Sequence, residues 1–104
     1  MVTKTFTFPS DISSMVIQPL KQKIGAAVGE EKELLLQLDL GSVDYMDSAG
    51  LGALVFAFKR AKELGGSVRV HQPQKRVKDL MYMTNMDQVF DITDSALVED
   101  VADA

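Results

Sequence analysis

The sequence predicts an α/β chain of about four mainly parallel strands alternating with helices. Strand-like and helix-like patterns follow one another in strict alternation, which favours a parallel sheet with right-handed crossovers. Leu34 to Leu40 is almost continuously apolar, as interior strands of a parallel sheet are when both faces are covered. The strongest helix pattern, Ser48 to Leu64, stops at Gly65-Gly66 and gives way at once to the alternating Ser67-Val68-Arg69-Val70-His71.

Each element has its own local reason. Thr3 to Phe8 alternates polar with apolar, is rich in Thr and Phe, and is stopped by Pro9. Ser10-Asp11 and Ser13-Ser14 read as turn and cap residues before a helix between Met15 and Val28, with Val16, Leu20, Ile24 and Ala27 as its apolar stripe. Pro19 fits only near that helix's first turn, and Gly29 closes it. Leu34 to Leu40 follows as a buried strand, then a polar loop from Gly41 to Asp47. Asp47 or Ser48 caps the next helix, whose broad apolar face is Leu51, Leu54, Val55 and Phe58. Lys59, Arg60 and Lys62 suit the negative end of its dipole. After the strand 67–71, Pro73-Gln74 opens a helix from Lys75 to about Thr84, with Val77, Leu80, Met81 and Thr84 on one face and Asn85 at its end. Gln88 to Ile92 reads as a last strand. Thr93-Asp94 then caps an expected C-terminal helix, with Ala96, Leu97 and Val101 inward.

Composition narrows the function. The chain has 104 residues, 46% hydrophobic and 25% charged, so one globular domain over 1–104 is expected, not a disordered or fibrous chain. The absence of Cys excludes disulfides, thiol catalysis and thiolate metal sites, and suits a reducing, cytoplasmic setting. Eleven Lys and Arg against fifteen Asp and Glu leave a net charge of −4, the wrong sign for gripping nucleic acid phosphates. Met1 to Phe8 has no charged leader and apolar run, so no signal peptide is expected. The apolar-rich stretch 49–58 is half of the roughly 20 residues that a membrane span needs.

Sites in parallel sheets lie beyond the C-terminal ends of the strands. That directs attention to the loop 41–47 and to Asp47-Ser48-Ala49-Gly50-Leu51-Gly52. Here Asp and Ser serve as helix caps, and the small residues let a helix end pack closely. Equally, a helix N-terminus offers free N–H groups to a phosphate on Ser48. Gly50 and Gly52 are poor helix formers, and close approach by another surface explains them as well as internal packing does.

Catalysis is not expected. A nucleophile elbow needs Gly two residues before the serine, and position 46 is Met. His71, the sole His, reads as structural. The glycines match neither a dinucleotide fingerprint nor a phosphate-binding loop. Asp39, Asp44 and Asp47 read as loop and cap residues in preference to a magnesium site, and no cofactor or metal is expected. Glu99, Asp100 and Asp103 read as a solvated face, and Met81, Met83 and Met86 as core filler.

The run Val43-Asp44-Tyr45-Met46-Asp47-Ser48-Ala49-Gly50-Leu51-Gly52 resembles the signature of the STAS domain family. More narrowly, it resembles the bacterial anti-sigma factor antagonists. Their pattern is an Asp, an aromatic or apolar pair, Asp-Ser, a small residue, then Gly-Leu-Gly. The likeness extends from about Phe6 through Leu34 to Leu40, Gly65-Gly66 and the segment from Pro73 to Phe90. It implies a single STAS-like domain working as a partner switch, not an enzyme. The serine matching Ser48 is phosphorylated by a GHKL-type serine kinase that is also the anti-sigma factor. The unphosphorylated form binds that kinase and frees a sigma factor, and a PP2C-type phosphatase restores it. Asp44, Asp47, Ser48, Ala49, Gly50, Leu51 and Gly52 are then the partner-binding residues. A stress-signalling scaffold or the accessory subunit of a lipid transporter is the alternative that the same motif allows. Two departures stand out. Ala49 replaces a second motif serine, and Pro9-Ser10-Asp11-Ile12 stands where the family has a Gly-Glu-Leu-Asp-like turn after a fuller strand pair, so a sheet one strand smaller is expected.

Overall fold

Four strands form one parallel sheet in the order β1-β3-β5-β6: β1 Thr3–Thr7, β3 Leu35–Asp39, β5 Ser67–His71 and β6 Asp91–Thr93. The structure is a computed structural model and describes residues 2–100. Between the strands lie α1 Ile17–Val28, α2 Ser48–Glu63 and α3 Lys75–Met83. A second, two-stranded parallel pair joins β2 Asp11–Ile12 to β4 Tyr45–Met46.

Register makes the two faces of the sheet chemically opposite. Side chains alternate across a strand, so Phe6, Leu38, Val70 and Ile92 share one row. Leu36 and Val68 extend it, and α1 and α2 cover this face with Leu20, Ile24 and Val28 from α1 and Leu51, Leu54 and Ala57 from α2. Lys4, on the same face, reaches the Ala27 carbonyl at the end of α1 (3.2 Å). Leu34, Leu36, Leu38 and Leu40 are all fully buried, each contributing about 1.5–3 kcal/mol on transfer from water. The opposite face carries Thr5, Gln37, Arg69 and Asp91 in one row and Thr7, Asp39, His71 and Thr93 in the next.

That second face is covered, but not by a C-terminal helix. After β6 the chain runs without helix from Asp94 to Asp100, with Ala96 exposed and Leu97 half-buried; Val101 lies outside the described residues. The Thr93 hydroxyl accepts the Ser95 N–H (3.0 Å), and the main chain of Val98 is taken up by Gln37. Those side-chain bonds replace the i→i−4 ladder that a helix would need. Phe90 is buried against Phe58 (ring centroids 5.6 Å apart), and a 3₁₀ turn, Met86–Gln88, occupies the start of the segment expected as a strand, so β6 begins later.

Elsewhere the local signals hold. Pro19 sits in the first turn of α1, where its missing N–H costs nothing. Asn85 takes a left-handed conformation (φ 60°) just past α3. Two expectations change by tertiary pairing. Asp11 is in a strand, not a turn, and α1 starts after Val16 with no side-chain cap. The loop 41–47 contains β4. Among the methionines, Met81 is buried and Met86 partly so, but Met83 is 81% exposed and is surface, not core.

Candidate functional site at the start of helix α2

The β2–β4 pair builds the approach to α2. Ser10 C=O accepts the N–H groups of Asp44 (2.8 Å) and Tyr45 (3.2 Å), and Ile12 C=O accepts that of Asp47 (3.4 Å). The chain thus enters the helix in a fixed direction, with Asp47 extended (φ −109°, ψ −171°).

Asp47 is the cap. Its Oδ1 accepts the N–H of Gly50 (3.0 Å) and its Oδ2 that of Ser14 (3.2 Å). The Gly50 amide is the largest influence and outweighs an opposing desolvation; with lesser help from the Ser14 and Ala49 amides it holds the Asp47 carboxyl below its ordinary value. Ser48 is therefore released from capping. It is the first residue of α2 and exposed, and among the described residues its hydroxyl makes no hydrogen bond. A hydroxyl at this place points from the positive end of a 16-residue helix.

The two motif glycines do different work. A Cβ on Gly50 would stand 2.4 Å from the Ile12 carbonyl oxygen and 2.7 Å from Met46 Cγ, so α2 can approach β2 and β4 only with Gly there. A Cβ on Gly52 would meet nothing within 4 Å, and the residue is exposed. Internal packing accounts for the first and not the second. Of the residues singled out by sequence, Asp44, Ser48 and Gly52 are exposed, Asp47 and Ala49 partly so, and Gly50 and Leu51 face inward.

The three loop carboxylates serve separate ends. Asp39 accepts the Gly41 N–H (3.0 Å), Asp44 accepts from the Gln74 amide (3.3 Å), and Asp47 caps α2. Among the described residues, no three His, Asp or Glu side chains converge as a metal site would require. His71 is buried, with Nδ1 3.0 Å from the Ser95 carbonyl.

Three contributors to the site leave little or no mark in the sequence. Ser14 supplies a main-chain donor, which leaves no signal in residue type. Gln74, beyond its role before α3, also binds the Gly41 carbonyl (3.0 Å) and so ties α3 to the loop. A groove of about 330 Å³ lies between Tyr45 and Met46 on one side and Arg76, Val77, Leu80 and Met83 on the other. Met83 lies off the Val77–Met81 stripe, and that phase was the available signal.

No helix among the described residues is long and apolar enough to cross a membrane. Comparison with known proteins agrees with this architecture. The chain is 38% identical over 58 residues to the anti-sigma-B factor antagonist of Bacillus subtilis (strain 168), covering 56% of this chain and 53% of that relative, so the match spans about half of the relative's length. In fold it is similar to an anti-sigma-factor antagonist (STAS) domain protein from Planctomyces limnophilus, with a TM-score of 0.80, 19% identity, and 92% and 90% of the two chains covered. It is also similar to the Bacillus cell fate determinant SpoIIAA in its phosphorylated form, with a TM-score of 0.65, 12% identity, and 88% and 82% covered. The STAS domain family model matches residues 2–104, and the chain belongs to that family.

Proposed function

We propose that the chain is an anti-sigma factor antagonist that switches partners through phosphorylation of Ser48. The observation that carries this reading is the division of labour at the start of α2: Asp47 performs the cap, and the exposed Ser48 hydroxyl is left without a structural task. A serine that merely capped would hold the bond that Asp47 holds. The name of the Bacillus subtilis relative, an anti-sigma-B factor antagonist, supports the same partner class.

In this mechanism the unphosphorylated surface around Asp44, Asp47, Ser48, Ala49 and Gly52 binds an anti-sigma factor, which is also a GHKL-type serine kinase. Gly50 and Leu51 shape that surface from beneath. Phosphate adds about −1.5 to −2 charge at pH 7, beside Asp44 and Asp47. The helix N-terminus tolerates the dianion within the fold, and the partner meets repulsion and bulk. A PP2C-type phosphatase resets the switch. The chain itself catalyses nothing and acts in the cytoplasm.

The test is intact mass of protein purified from its native host, before and after phosphatase treatment, for wild type and Ser48→Ala. A phosphate on wild type that Ser48→Ala lacks, with pull-down of a serine kinase by the unphosphorylated form only, is the expected result. No phosphate under any growth condition overturns it and leaves the scaffold or transporter-subunit reading.

A further inference from the structure

The sheet face opposite α1 and α2 holds a peptide without regular secondary structure, and the peptide is this chain's own segment 94–100. Gln37, fully buried in the central strand β3, brackets one residue of it. Gln37 Oε1 accepts the Val98 N–H (2.9 Å) and Gln37 Nε2 donates to the Val98 carbonyl (2.8 Å). This is the pairing that a neighbouring strand would make, supplied here by a side chain. Thr5 fixes the glutamine by accepting from the same Nε2 (3.1 Å) and donates to Asp100 (2.6 Å). Three residues before Val98, the Ser95 carbonyl meets His71 Nδ1 (3.0 Å). A carbonyl only accepts, so Nδ1 carries the proton. His71 Nε2 is buried and has no partner among the described residues. At the segment's other end, Asp94 pairs with Lys78 (2.9 Å).

These contacts are made to main chain and to terminal carboxylates. The intervening side chains take little part: Ala96 and Glu99 are exposed, Val98 is 50% exposed, and Leu97 is half-buried. Gln37 and His71 are buried and Thr5 and Lys78 partly so, while the occupant's own side chains are mostly exposed. Segments of that kind open first. Recognition through backbone with carboxylates at both ends also defines what else would fit.

We propose that the Gln37–His71 face is a docking site for an extended acidic peptide segment of a protein partner, and that residues 94–100 occupy it as a detachable stand-in. The partner segment presents one residue's N–H and C=O to Gln37 and a carbonyl three residues earlier to His71. Its carboxylates take the places of Asp94 and Asp100 at Lys78 and Thr5. The unpartnered His71 Nε2 offers a further bond that the chain's own segment does not use. This site lies on the sheet and does not depend on the reading of Ser48.

The test uses the full chain carrying Val98→Pro, which removes the N–H that Gln37 accepts and leaves the face intact. The probe is a synthetic peptide of residues 93–100, titrated by amide NMR. In Val98→Pro, the main-chain amide signals of residues 95–97, 99 and 100 should move toward random-coil positions while those of β3 and β5 stay in place. The peptide should bind this variant at least tenfold more tightly than wild type, whose site is occupied in cis. The same peptide with proline at the Val98 position, or with its acids made amides, should bind at least tenfold more weakly. Unchanged amide signals of residues 95–97, 99 and 100 in Val98→Pro, or no uptake of the peptide by it, overturns the proposal. So does a concentration-dependent wild-type dimer that Val98→Pro abolishes, because the occupant is then a second copy. Thr5→Val, which spares β3, serves as the second variant if Val98→Pro unfolds, and should weaken the hold on the segment in the same direction.

Discussion

One carboxylate, Asp47, holds both the Gly50 amide at the start of α2 and the Ser14 amide before α1, at 3.0 and 3.2 Å. Ser48 thus sits beside a cap it does not supply, and this linkage has a definite pH signature.

Because the folded state holds the Asp47 carboxyl below its ordinary value, its contribution to stability is fully present above about pH 4 and fades as pH falls through the folded value. Asp47→Ala should lower Tm by a few degrees at pH 7, and the difference from wild type should shrink below about pH 4. Asp47→Asn, which keeps an acceptor for Gly50, should lose less at pH 7 and lose that pH dependence. Thermal melts across pH 2–7 check both.

The two motif glycines should respond oppositely to alanine. Gly50→Ala forces a methyl against the Ile12 carbonyl and should cost about 1–3 kcal/mol in urea unfolding. Gly52→Ala meets open space and should stabilise α2 by about 0.5–1 kcal/mol. If Gly52 is the point of closest approach to the proposed anti-sigma partner, the same substitution should weaken that complex while strengthening the fold.

Substitutions at Ser48 should separate switching from stability. Ser48→Asp places a negative charge at a helix N-terminus, so its Tm should equal or slightly exceed that of wild type. Its affinity for the proposed anti-sigma partner should fall at least tenfold, about 1.4 kcal/mol. Ser48→Ala should keep both Tm and binding. Calorimetry with the purified partner reads the affinities.

The two faces of β3 should differ in cost. Leu38→Ala, in the fully buried row beneath the helices, should destabilise by about 2–5 kcal/mol. Leu35→Ala, half-buried at the strand's start, should cost distinctly less in the same urea titration.

What the sequence determined by itself is what short stretches encode. The alternation in Thr3 to Thr7 and Ser67 to His71, the leucines from Leu34 to Leu40, and the cap and glycine signals around α2 each act within a few residues. They sufficed for a four-stranded parallel sheet with helices between its strands and for the place of Ser48. Tertiary structure decided whatever depended on a distant partner. Asp11-Ile12 became a strand because Tyr45-Met46 lies beside it, and Asp47 rather than Ser48 became the cap because that pairing fixes its backbone. The segment after Thr93 carries helix-compatible residues, yet it forms no helix through Asp100 because Gln37 and His71, more than twenty residues away in sequence, bind its main chain. Gly50 and Gly52 look alike in the sequence. Only the fold sets a carbonyl against one and open space beside the other.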